Sequence, residues 1–191
     1  MAGATLQREK VGPEADAFFF ATLAGITGIS KATPASLADG AAFLAALLVA
    51  KTKMDEDEVP EENRYLYATP TLVNSVMALD TTKSREVLSS FAAVKKVPQA
   101  RFYTAIDLKD GKSAGEELGH YAKATGAGDI NFMIIHKPAI IKFDKHVASD
   151  VIAPENNPDS DAYISKYRKY GLVDVYRNKV AGIYLHAKAG A

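Results

Sequence analysis

Residues 129–188, DINFMIIHKPAIIKFDKHVASDVIAPENNPDSDAYISKYRKYGLVDVYRNKVAGIYLHAK, decide the fold. They divide into four extended runs: Ile130–His136, 139–151, 162–176 and 180–186. The second and third are long. As a strand, 139–151 would span about 40 Å at the usual rise per residue, roughly twice the length of an ordinary core strand. In the third run Tyr163, Ser165, Tyr167 and Lys169 fall on one face, and Ile164, Lys166, Arg168 and Tyr170 on the other. Neither face is purely apolar, so one monomer cannot bury this strand unless Lys166 and Arg168 find partners. Two readings stand side by side. A neighbouring copy supplies carboxylates, or the strand is a solvated edge whose charges discourage pairing. After a bend at Arg177-Asn178-Lys179, the last run alternates Val180, Gly182, Tyr184 and His186 against Ala181, Ile183 and Leu185. That pattern predicts a strand returning to a central sheet.

Composition narrows the function classes. A chain of 191 residues can bury a sizeable core and fits one large domain or two small ones. Lys plus Arg and Asp plus Glu both number 23, so no net charge attracts nucleic acid or an anionic membrane. With no cysteine there is no disulfide, no thiolate metal site and no cysteine nucleophile. The most apolar runs, 18–29 and 41–50, are too short to cross a bilayer and read as buried helix faces. Residues 1–10 are polar and do not resemble a signal peptide.

Ahead of the ribbons the chain reads as helices and short strands. Residues 4–23 carry Leu6, Val11, Ala15, Phe18 and Phe19 near helical spacing, with a kink or restart at Gly12-Pro13 and an end at Gly25 and Gly28. The triplet Phe18-Phe19-Phe20 covers more than one side of that helix. It fits core packing in the monomer, or a helix packed from two directions. Thr33-Pro34 predicts a capped helix start, and 37–54 is the strongest helix. The acidic run 55–58 is expected just beyond it in solvent, because it would oppose the helix dipole. Pro60-Glu61-Glu62-Asn63 reads as a turn, Arg64–Ala68 as a strand, and Thr69-Pro70 as the cap of a helix to Leu79. Residues 80–84 read as a turn, 86–93 as a short helix, and 94–97 and 101–106 as short strands.

Candidate chemistry is sparse. The strand–turn–helix at Thr69-Pro70-Thr71 lacks a glycine-rich phosphate loop and puts proline where a nucleotide site wants backbone N–H groups. The acidic run has neither the glycine turn nor the distal glutamate of a calcium loop. His136, His146 and His186 are scattered without metal-ligand spacing. Residues 107–128 read as a long loop with a helical turn near 116–121, holding Asp107, Asp110, Glu116, Glu117 and His120. A small α/β enzyme built on Asp107, Glu116, Glu117 and His120 is the rival reading, and it requires a pocket lined by those groups. Lys95, Lys96, Lys166, Arg168 and Lys169 form no basic stripe, although Tyr163, Tyr167 and Tyr170 lie near the last three. No catalytic residue, cofactor site or metal site is therefore assigned.

Several stretches together resemble a known family. They are 59–67 (VPEENRYLY), Thr69-Pro70, Val97-Pro98 with Arg101-Phe102-Tyr103, 129–136 (DINFMIIH), and above all 170–184 (YGLVDVYRNKVAGIY). Their order and spacing resemble the major capsid proteins of tailed bacteriophages with the Hong Kong-type phage capsid fold. The resemblance implies an α+β fold with a peripheral domain, made of a spine helix and a long β ribbon, and an axial domain, made of a central sheet flanked by helices. Residues 1–32 would be the spine helix, 33–136 the axial domain, 137–178 the ribbon, and 179–191 the strand rejoining the axial sheet. It implies a shell subunit that assembles with copies of itself into pentamers and hexamers of an icosahedral head. Its other partners would be the scaffold, portal and protease proteins of the phage. Its locations would be the virion and, during assembly, the bacterial cytoplasm; neither sequence-specific nucleic acid nor membrane is involved. A bacterial encapsulating compartment with the same fold is a close variant. The family's N-terminal arm and extended hairpin loop are not recognisable, so the chain looks like the C-terminal part of such a protein from a tailed phage, or like a prophage remnant. Lys166, Arg168, Lys169, Asp174 and Arg177 are the expected subunit contacts. No Lys–Asn pair for the cross-link known in some relatives can be assigned.

Overall fold

The computed structural model describes residues 5, 7–114, 116 and 120–189. A π-helical turn, Gln7–Val11, runs into helix α1, Gly12–Gly25. Proline at the start of α1 has no N–H to give the preceding turn, which accounts for the change of winding there. A turn with Gly28 at φ 92°, a value that favours glycine, leads to the two-residue strand β1, Ser30–Lys31.

Helix α2, Gly40–Glu56, begins later than Thr33-Pro34 predicts. Its N-cap is Asp39, whose carboxylate accepts from the Ala42 N–H at 2.8 Å. The residues before it stay extended because Ala32 and Ala35 donate their N–H groups to the carbonyls of Leu185 and Ala187. Phe43, Leu47, Ala50 and Met54 recur at helical spacing and are fully buried. The acidic run is not simply solvated beyond the helix. Asp55 lies inside α2 and pairs with Arg64, and Asp57 accepts from Lys53 at 2.5 Å and from the Ser30 hydroxyl at 3.3 Å. These local cations outweigh the opposing dipole.

Strand β2, Arg64–Ala68, and helix α3, Pro70–Leu79, fall where the sequence puts them. Helix α4, Thr82–Ser89, starts earlier than expected, because Thr81 and Ser84 form a reciprocal capping box. Strand β3 is Ala93–Lys96. The expected strand 101–106 does not form before Ile106: Gln99–Arg101 is a 3-10 turn, and Tyr103 makes a single bridge to Asp129. The expected loop 107–128 is largely a hairpin, in which β4, Ile106–Lys109, pairs antiparallel with β5, His120–Lys123. The helical turn predicted near 116–121 lies partly outside the described residues, and His120 and Tyr121 are strand.

Strand β6, Ile130–His136, is buried on both sides. A 3-10 turn, Lys137–Ala139, leads into the ribbon of β7, Ile140–Ile152, and β8, Ile164–Val175. The returning strand β9, Ile183–Ala187, starts after Val180, because Arg177–Gly182 winds as 3-10. The central sheet has the order β1-β9-β6-β2-β3. Only β6 runs against the others, since β9 and β2 both pair with it antiparallel while β1 and β3 pair parallel to their neighbours.

Each face of this sheet buries a separate core. Phe132, Ile134, Leu66 and Tyr184 face α2, α3 and α4. Met133, Ile135, Ile183 and Leu185 face α1, through Phe20, Leu23 and Ala24. An irregularity in the β6–β9 register between Ile130 and Phe132 turns Ile130 into the second core despite its even spacing from Phe132. The Phe triplet is divided accordingly. Phe20 meets Phe102 and Tyr67 edge-on at 4.8 and 5.3 Å, while Phe19 lies under the ammonium of Lys142 on the ribbon.

Candidate assembly surface

Among the described residues the ribbon is a two-stranded sheet with no third strand. Its root is anchored. Ala139 and Val175 are buried in the second core, and the Tyr176 N–H donates to the Ala139 carbonyl at 3.0 Å. Its tip is closed by Asn157, a buried side chain that donates to the Ala162 carbonyl at 2.8 Å and to the Ser160 hydroxyl at 3.1 Å. Between them twelve registered pairs run from Ile140↔Val175 to Ile152↔Ile164. Thirteen residues of strand make this about 43 Å of projecting ribbon.

Register assigns the faces, since opposed residues share a side and successive residues alternate. One face meets α1. Lys142, Asp144, Lys169, Gly171 and Val173 wall a cleft of 230 Å³ whose other side includes Val11, Ala15 and Phe18. Lys169 and Asp144 form an ion pair at 3.1 Å along the ribbon wall of this cleft. Lys145 is a bulge between the pairs Asp144↔Gly171 and His146↔Tyr170. It shifts the parity of β7, so that Val147 and Val151 continue this side.

The opposite face carries Phe143 directly against Leu172, flanked by Ile141↔Asp174 on one side and by Tyr170 on the other. Phe143 is 61% exposed and Leu172 56%. Further out, Lys166 stands opposite Asp150, and Arg168 opposite Ala148. The surface is an apolar pair with aromatic flank at the root end and mixed charge toward the tip. Exposed apolar side chains that touch across two strands make this face the candidate contact surface.

The expected contact residues are only partly brought together. Lys166, Arg168 and Asp174 share the open face. Asp174 turns a carboxylate oxygen back to the Val175 N–H at 2.8 Å. Lys169 points to the α1 side, and Arg177 lies beyond the ribbon in the 3-10 turn. The Phe143–Leu172 pair is the feature the sequence reading lacked. Only the cross-strand register, a non-local quantity, sets them side by side.

The rival constellation does not converge. Glu116 is held by Lys109 at 3.1 Å, while Asp107 and His120 are exposed on different strands of the hairpin, whose register pairs Asp107 with Ala122 and Lys109 with His120. Glu117 lies outside the described residues. Two histidines are buried instead. Burial, with Lys179 and Arg64 nearby, pushes His136 below its ordinary pKa. Burial also lowers His186, whose ring stacks on Phe132 at 5.0 Å and whose Nδ1 accepts from Asn131 Nδ2 at 3.1 Å. Among the described residues no helix is long and apolar enough to cross a membrane.

Solved structures share this architecture. A chain of Mycobacterium phage Che8 superposes with a TM-score of 0.60 at 12% identity, over 97% of this chain and 60% of that one. A chain from the capsid structure of the cyanophage P-SCSP1u superposes with a TM-score of 0.53 at 18% identity, over 94% of this chain and 61% of that one. No protein-family profile and no curated protein matches the sequence. The fold is the phage capsid fold expected from the resemblance, and the chain spans about three fifths of the length of each of these structures.

Proposed function

We propose that the chain is the structural shell subunit of a phage head, a major capsid protein whose work is the geometry of repeated contacts and not catalysis. The observation that carries this is the ribbon, about 43 Å long, unpaired along both edges among the described residues and bearing an exposed Phe143–Leu172 pair on its open face. An isolated two-stranded ribbon is marginally stable in water, so its apolar face calls for cover. Copies of the same chain supply that cover with the fewest further components, and many modest interfaces closed by symmetry give a stable shell.

In this reading α1 and the ribbon form a peripheral unit, residues 1–32 and 137–178, while 33–136 and 179–191 form the axial unit. Lys166, Arg168 and Asp174 lie on the contact face, with Lys169 and Arg177 at its margins. Pentamers and hexamers are the assembly units. Scaffold, portal and protease proteins act with them in the bacterial cytoplasm, before the finished virion encloses its DNA. The test is mass photometry and electron microscopy of the complete gene product under a range of assembly conditions. Capsomers or closed shells are expected. A strictly monomeric product under all of them would overturn the proposal.

A further inference from the structure

The carboxyl ends of β2, β3 and β9 meet around a cleft of 440 Å³ that the shell reading does not use. Thr69 follows β2, Gln99 follows β3, and Lys188 follows β9. Asn131 near the start of β6 and Ser36 from the extended segment beside β9 complete the polar lining. Open α/β sheets hold ligands outside the carboxyl ends of their parallel strands.

Thr69 is the N-cap of α3, a position where a threonine hydroxyl ordinarily accepts from the second or third N–H of the helix. Here it makes no such bond. The residue is 7% exposed. Among the described residues, Arg64 Nη1 is the one fully inaccessible side-chain atom without a hydrogen bond. The unpartnered Thr69 hydroxyl therefore reaches the open space of the cleft it lines. Asn131, also 7% exposed, repeats the pattern. Its Nδ2 donates to the Ala35 carbonyl at 2.8 Å and to His186, which leaves Oδ1 for the cleft. Pro70 has no N–H, but Thr71 and Leu72 at the next two positions retain theirs at the positive end of a ten-residue helix. Lys188 adds an exposed cation at the rim.

We infer that this cleft binds a protonated oxyanion of the size of hydrogen phosphate. The N–H groups of Thr71 and Leu72, the Thr69 hydroxyl and the Lys188 ammonium donate to its oxygens. Asn131 Oδ1 accepts the proton that hydrogen phosphate carries and sulfate lacks. A site with one acceptor among its donors discriminates on that proton, because sulfate would face a lone pair with nothing to give it. The inference is independent of the shell reading.

The test is isothermal titration calorimetry of the protein with sodium phosphate and with sodium sulfate near neutral pH, at matched ionic strength. Saturable one-site binding of phosphate is expected, with sulfate at least about fivefold weaker. Thr69→Val and Lys188→Gln should each weaken phosphate about tenfold, the loss of one charge-assisted bond. Lys137→Gln, an exposed lysine outside the cleft lining, should leave affinity within about twofold. Circular dichroism checks that Thr69→Val folds, and the surface variant Lys188→Gln stands if it does not. No saturable phosphate binding, equal affinity for the two anions, or a phosphate affinity indifferent to Lys188→Gln would overturn the inference.

Discussion

Replacing Phe143 and Leu172 together by serine should abolish assembly while leaving the monomer folded. A phenylalanine presents about 200 Å², so 61% exposure leaves about 120 Å² of Phe143 available to a partner. That is about 3 kcal/mol if fully covered, with about 2 kcal/mol more from Leu172 at 56% exposure. Ordering and imperfect fit consume much of this sum, so a working figure is about 2 kcal/mol per contact, or about thirtyfold in affinity. Every subunit repeats the contact, so the concentration at which shells appear should rise by at least that factor. Within the monomer the main loss is the cross-strand pair, at about 0.5–1 kcal/mol, with a smaller addition where Leu172 lines the cleft against α1. Light scattering against protein concentration measures the first effect, and urea denaturation of the monomer the second. Shells forming at an unchanged concentration from the double variant would refute the assignment of this face. A monomer destabilised by several kcal/mol would show that the pair belongs to the fold instead.

Three further outcomes follow from the packing and the buried charges. Arg64 is 2% exposed, donates to the carbonyls of Val59 and Pro60, and has Asp55 Oδ1 2.6 Å from Nη1, off the line of the N–H bond. Arg64→Met should cost about 3 kcal/mol in urea denaturation, whereas Asp55→Asn, at a carboxylate 47% exposed, should cost about 1 kcal/mol or less; equal losses would refute this ranking. A Cβ on Gly40 would lie 2.4 Å from the Ser75 carbonyl oxygen, so Gly40→Ala must push α2 away from α3 and should cost about 1–3 kcal/mol, against the gain in helix propensity; a stabilised variant would contradict it. His136 and His186 both have folded pKa values below the unfolded 6.5. Above that pH both states are neutral and the full stability is present. As pH falls below 6.5 the unfolded chain takes up protons the native state refuses, and stability drops by at most about 1.4 kcal/mol per pH unit per histidine. Urea midpoints that stay level or rise between pH 7.5 and 5.5 would refute this.

The parts legible in the sequence are those fixed by local pattern. Arg64–Ala68, Pro70–Leu79 and Ile130–His136 stand where period, cap and apolar run put them. The illegible parts depend on partners distant in the chain. The β4–β5 hairpin has little apolar alternation, and its pairing comes from register alone. Asp39 caps α2 because the preceding segment is drawn along β9, a contact some 150 residues away. Of the expected contact residues, alternation alone assigned Lys166 and Arg168 to one face. The bulge at Lys145, which decides what stands opposite them on β7, has no local signature. Thr69 reads as an ordinary cap, and only the geometry reveals that its hydroxyl makes no cap bond and that the residue lines a cleft.

Helix α1 explains why a ribbon so far from the core can still hold a defined direction. Its Phe20, Leu23 and Ala24 belong to the core under the central sheet, and its neighbouring face, with Ala15, Phe18 and Phe19, meets Lys142 and Val173 of the ribbon. The ribbon root reaches the same core through Ala139 and Val175. Gly182 lets the chain return there, since a Cβ would lie 2.9 Å from that of Ala139. Two independent attachments, one through a helix and one through the strand ends, restrict rotation about the root in a way that either alone would not. In the proposed shell, a contact surface held on such a joint would keep a fixed angle to the sheet. Closed shells require that property, because a small angular error at each interface prevents the symmetry from closing.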